Sequence, residues 1–166
     1  MRLSFQPGKV EDAASLAALH TEVAENLTRQ HGRGPWSSTK TERGVRFGMR
    51  TSRVFVVRQG TEIVATLRLA TKKPWAIDTS YFSACGKALY LLDMAVAPPR
   101  QREGIGRWCL EQAKGVARAW PADAIRLDAY DAAAGAGPFY ARCGFTEVGR
   151  VTYRKTPLIY YELLLG

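Results

Sequence analysis

Residues 89–120 read LYLLDMAVAPPRQREGIGRWCLEQAKGVARAW. The first eight are almost wholly apolar, as a central strand buried on both faces requires. Pro98-Pro99 ends that strand. A basic loop with Gly104 and Gly106 follows, and then a helix. Ile105, Cys109, Ala113, Val116 and Trp120 recur on one face of it, with Glu111, Lys114 and Arg118 on the other. A helix N-terminus exposes unpaired N–H groups and a partial positive charge. Glycines let a backbone come close to a bound group. With Arg100, Arg102 and Arg107 beside it, this segment has the construction of a pyrophosphate cradle.

Outward from this segment the chain alternates short strands and helices. Residues 2–6 alternate as a strand, and Pro7-Gly8 turns it. Asp12 can cap a helix with Leu16, His20, Val23 and Leu27 on one face. Residues 31–38 are a loop by their glycines and proline, and Thr39-x-x-Glu42 has capping-box spacing for a second helix through Met49. Gly44 and Gly48 weaken that helix. Residues 53–57 and 62–70 flank Gln59-Gly60 as a hairpin. Residues 71–88 form a long loop, or hide a short strand. Residues 124–130 are a strand, and 138–143 a short helix ended by Gly144. Two strands, 145–151 and 158–165, follow. The order predicts a mixed, layered α/β fold.

Composition bounds the function. At about 150 residues per domain, 166 residues make one domain, 1–166, large enough for a real core. No apolar run is long enough to span a bilayer, and no apolar stretch follows the first residues as a leader would require. Cys85, Cys109 and Cys143 are odd in number and far apart, which argues against disulfides or zinc and for a reducing cytoplasm. His20 and His31 are too few for a multi-histidine metal centre, so no metal is expected. The net charge of +9 favours an anionic partner.

Two phosphate loops fail to match residues 96–107. The dinucleotide fingerprint needs a third glycine, and the nucleotide-hydrolase loop needs Gly-Lys-Ser/Thr. Val96-x-Pro98-x-x-Gln101-x-x-Gly104-x-Gly106 instead resembles the acyl-coenzyme A motif of the GNAT superfamily (Gcn5-related N-acetyltransferases), at all its marked positions. Phe139-Tyr140-x-x-x-Gly144-Phe145 is similar to that family's later segment, and the order of elements fits along nearly the whole chain.

The resemblance implies a central, mostly antiparallel sheet, splayed between its fourth and fifth strands and flanked by helices. It implies an N-acetyltransferase in which an amine attacks the thioester of acetyl-coenzyme A directly, in a ternary complex. Backbone groups of Met94, Ala95 and Val96 would hold the pantetheine arm, an N–H near Val96 polarising the thioester carbonyl. Gln101, Arg102, Glu103, Gly104, Ile105, Gly106 and Arg107 would hold the pyrophosphate. Tyr140 falls on the position of the acid that protonates the leaving thiolate. The family's usual Asn, seven residues earlier, is Ala133 here, so its bond to the pantetheine is either missing or made by another group. Asp93, the one acid on its strand, is a candidate base, or an ion-pair partner. Asp128 and Tyr130 alternate together and, with Trp36, are candidates for the acceptor side. Acceptor choice would lie in 31–50 and 71–88.

Two other functions stay open on sequence alone. One is a non-catalytic sensor of acyl-coenzyme A. The other is a basic nucleic-acid module, although its arginines are dispersed and no recognised module fits. The apolar strand 158–165 could serve a homodimer as well as a core. The acceptor amine is unspecified, with a lean toward a small molecule.

Overall fold

The computed structural model describes residues 2–166. Its backbone divides into two units, one of residues 1–70 with 92–112, the other of 71–91 with 113–166. Strand β4 (Ala88–Val96) and helix α3 (Ile105–Ala119) each run through both.

The first unit holds β1 (Ser4–Pro7), α1 (Ala13–His31), α2 (Glu42–Thr51) and the hairpin β2 (Arg53–Gln59) and β3 (Glu62–Ala70). Its strand order is β1-β2-β3-β4. Phe5 stacks on Phe55 at 4.7 Å between ring centres, and Trp108 of α3 meets Phe5 edge-on. Ala13 and Leu16 of α1, Val45 of α2 and Val56 of β2 form one apolar cluster, while Leu19 packs with Ala95 and Ala97. Of the α1 face expected from Leu16, His20, Val23 and Leu27, Leu16 is buried and the other three are half-buried, while Ala13, Leu19 and Ala24 complete the buried side.

Two details differ from the sequence reading. The cap of α2 is Thr41, not Thr39: its backbone is extended, and Oγ1 accepts the Gly44 N–H at 3.0 Å. Asp12 precedes α1 without capping it. Its carboxylate accepts the Lys9 N–H and pairs with Arg58, so the side chain is already committed.

The second unit carries β5 (Ala124–Tyr130), α4 (Gly137–Arg142), β6 (Thr146–Tyr153) and β7 (Thr156–Leu164) in the strand order β4-β5-β7-β6. The β4 to β5 ladder is parallel and covers three pairs, Ala88 to Tyr90 against Ala124 to Arg126. Along its whole length β5 also pairs antiparallel with β7.

Residues 71–88 contain a 3-10 turn at Thr79–Tyr81 and no strand before β4 begins at Ala88. Buried polar anchors hold the segment. Tyr160 Oη donates to Ala76 C=O and accepts the Asp78 N–H, and Glu162 accepts both the N–H and hydroxyl of Ser83. Arg126 Nη2 donates to Ser83 C=O at 2.8 Å. Ile77 and Phe82 are buried beneath it.

Candidate active site

In the first unit, the loop after β4 turns sharply before α3. Arg102 and Gly104 both take left-handed backbone, φ +65° and +86°. The Trp108 N–H bonds to Gly104 C=O at 3.1 Å, so the helical bonding of α3 starts from Gly104. A Cβ on Gly104 would meet nothing within 4 Å, so the space in front of the turn is open. Residues 101–104 are exposed, and Ile105 anchors the helix in the core. Arg100 Nε pairs with Glu103 Oε1 at 3.1 Å, which takes up part of the local charge. Gln101 Nε2 donates to Val96 C=O at 3.0 Å and ties the loop to the end of β4. An open, amide-lined helix start of this kind fits a pyrophosphate.

Asp93 also has left-handed backbone, φ +52°, within β4. The strand's alternation breaks there, and Leu92, Asp93 and Met94 are all half-buried. Asp93 Oδ2 accepts Arg68 Nε at 2.6 Å, and Oδ1 pairs with Lys40 Nζ at 3.1 Å. Burial opposes its charge, but Lys40 and Arg68 outweigh this and lower its pKa below 3.8. His20 lies in the same electrostatic environment, its pKa lowered to about 4, first by burial. Lys40 and Arg68 belong to no motif, and only the folded chain brings them to Asp93.

In the second unit, α4 presents Tyr140, which is 9% exposed. Phe139, Phe145 and Tyr161 surround its ring. At the start of α4 a Cβ on residue 137 would stand 2.5 Å from Tyr161 Oη, so glycine there lets that hydroxyl sit close to the helix. Burial, then Asp128 and Cys143, push the Tyr140 phenol above its ordinary pKa of 10. It keeps its proton at neutral pH and can donate it.

Asp128 stands opposite Tyr160 in the β5–β7 ladder. It is half-buried, and burial raises its pKa above 3.8. Among the described residues its carboxylate has no hydrogen-bond or ion-pair partner, so it is both costly and basic. Tyr130 follows two residues later, also half-buried. Trp36 lies in the α1–α2 connection, where its indole Nε1 donates to Gly32 C=O at 2.8 Å. Ala133 belongs to the turn before α4.

Comparison with known proteins bears on the family and the fold. The profile of the Acetyltransferase (GNAT) family matches residues 17–145. Among curated proteins no relative matches. Smu.2055 from Streptococcus mutans superposes with a TM-score of 0.75 at 17% identity, each chain covered in full. The ribosomal-protein-S18-alanine N-acetyltransferase from Escherichia coli gives 0.70 at 18% identity, over 99% of this chain and 95% of its own. The structure of yncA from Salmonella typhimurium, solved with its cofactor acetyl-CoA, gives 0.68 at 16% identity, over 99% and 94%. At these identities the superpositions establish the shared fold.

Proposed function

The chain belongs to the GNAT family of acetyltransferases, and from that premise we propose that it transfers an acetyl group from acetyl-coenzyme A to a small primary amine. The observation that carries the donor assignment is the open start of α3, with two left-handed residues before it and free space at Gly104.

The amides of Arg102 to Arg107 hold the donor's pyrophosphate, with Gln101 keeping the loop in register through Val96. Backbone groups of Met94, Ala95 and Val96 hold the pantetheine arm, and an N–H near Val96 polarises the carbonyl under attack. The donor supplies an activated acetyl thioester. The acceptor nitrogen bonds to the acetyl carbon, and the carbon–sulfur bond breaks.

Two protons then need owners. We assign the proton lost by the amine to Asp128, because its carboxylate is half-buried and unpartnered. Asp93, read from the sequence as a candidate base or an ion-pair partner, is held by two cations that make it a poor proton acceptor, and we give it a positioning role. Tyr140 donates to the departing thiolate. Trp36 in the first unit and Tyr130 in the second are each proposed as an acceptor contact.

No helix among the described residues is long and apolar enough to cross a membrane. All three cysteines are free, which fits the reducing cytoplasm where we place the protein.

Incubation with acetyl-coenzyme A and a mixed amine library tests the assignment, with thiol release and acetylated products followed by mass spectrometry. Turnover is the expected result. Thermal stabilisation by coenzyme A without turnover would indicate a sensor, and no response to coenzyme A would overturn the donor site.

A further inference from the structure

The group around Asp93 is more than a strand-stabilising ion pair. Lys40 comes from the segment before α2, Arg68 from β3 and Asp93 from β4, and all three meet at one carboxylate. Each cation takes a separate oxygen of Asp93. Arg68 Nη1 further donates to Ser52 Oγ at 3.3 Å, which fixes the plane of the guanidinium.

One carboxylate cannot saturate two such cations. An ammonium has three donors and a guanidinium five. Asp93 and Ser52 are the partners of Lys40 and Arg68 among the described residues, so donors remain on both. Their side chains are 38% and 25% exposed, open enough to meet a solute. His20, the other titratable group in this environment, is neutral at pH 7 because burial lowers its pKa to about 4. The cluster therefore carries a net positive charge, and its strongest donors are fixed in direction by Asp93 and Ser52. Such a cluster favours an anion over a second ammonium.

Asp93 immediately precedes Met94 to Val96, the backbone assigned above to the thioester arm. We propose that Lys40 and Arg68 bind a carboxylate on the acceptor, so that the acceptor is an amine that also carries an acid group. Asp93 is a positioning residue that aims both cations. The inference rests on the acetyl-transfer reading, and it excludes polyamines as preferred acceptors.

The test compares matched amines with acetyl-coenzyme A as donor. Leucine, phenylalanine and 6-aminohexanoate are run against isoamylamine, phenethylamine and pentylamine, with 1,5-diaminopentane as a dication. At least one acid-bearing member should exceed its neutral partner by about tenfold or more in kcat/KM, as hydrogen bonds to charged groups allow. Lys40→Met should erase that preference through the acceptor's KM, leaving the KM for acetyl-coenzyme A unchanged. Arg68→Lys should keep part of it. Lys40 is half-exposed, so its variant stays informative if Arg68 variants fail to fold. Equal use of both members, preference for the diamine, or a Lys40→Met variant that loses both classes alike would overturn the proposal. So would an enzyme that binds acetyl-coenzyme A by calorimetry yet turns over none of the acids. Failure to bind acetyl-coenzyme A at all would instead remove the donor reading on which it stands.

Discussion

Arg68 holds Asp93 through a 2.6 Å bond from Nε to Oδ2, across two strands, at a point where Asp93 has left-handed backbone. Such a conformation costs roughly 1–2 kcal/mol for a residue with a side chain. The ion pairs oppose that cost only while Asp93 is charged. The folded-state pKa lies below the ordinary 3.8, so the stabilisation is present above 3.8 and is lost as pH falls through the native value. Asp93→Asn should lower the Tm at pH 7, and the gap to the native protein should narrow below pH 3.8. A gap independent of pH would remove the charge from this account.

Asp128 has the opposite sign. Its folded-state pKa is raised by burial, so the penalty is absent below 3.8 and complete once pH has risen past the native value. Asp128→Asn should raise the Tm at pH 7 and leave it unchanged at pH 3. The same variant should lower kcat/KM by about 10²–10⁴-fold and flatten the acidic limb of its pH profile. A variant both destabilised and fully active would end the base assignment.

Tyr140→Phe should keep acetyl-coenzyme A affinity and lose about 10²–10⁴-fold in kcat. Because the phenol is pushed above 10, native kcat should show no loss from its ionisation between pH 7 and 10. Unchanged turnover in the variant would remove the phenol as the acid.

Gly104→Val places a branched side chain at φ +86°, facing the open space before α3. The expected outcome is a loss of acetyl-coenzyme A affinity of about tenfold or more, from backbone strain and from occupied space together. Titration calorimetry reads it directly, and undiminished binding would refute the cradle.

Gln101→Leu removes the donor to Val96 C=O while keeping the side chain's bulk. One such bond contributes about 1 kcal/mol, so the KM for acetyl-coenzyme A should rise about fivefold with kcat nearly kept. A fall in kcat alone would mean that Gln101 acts on the chemistry rather than on the loop.

Most elements are legible in the sequence because their signals are local. The apolar run of β4, its proline stop and the periodic face of α3 lie within a few turns of chain, and the folded protein keeps all three. The hairpin forms where predicted, β2 running two residues further, and the short helix before Gly144 differs by one residue at each end. The cap of α2 lies two residues beyond the predicted one because several hydroxyls compete before it, and only the path of the chain selects Thr41.

The sequence by itself determined the family and the strand-loop-helix of β4 and α3, and it put Tyr140 at the position we propose for the acid, since each depends on residues close together in the chain. Tertiary structure alone decided the surroundings of the acids. It gave Asp93 two cations, one of them 25 residues away, and left Asp128 with none. It also anchored residues 71–88 through Glu162, 79 residues from Ser83. The reason is physical: a carboxylate's basicity follows from burial and nearby charge, and the fold sets both.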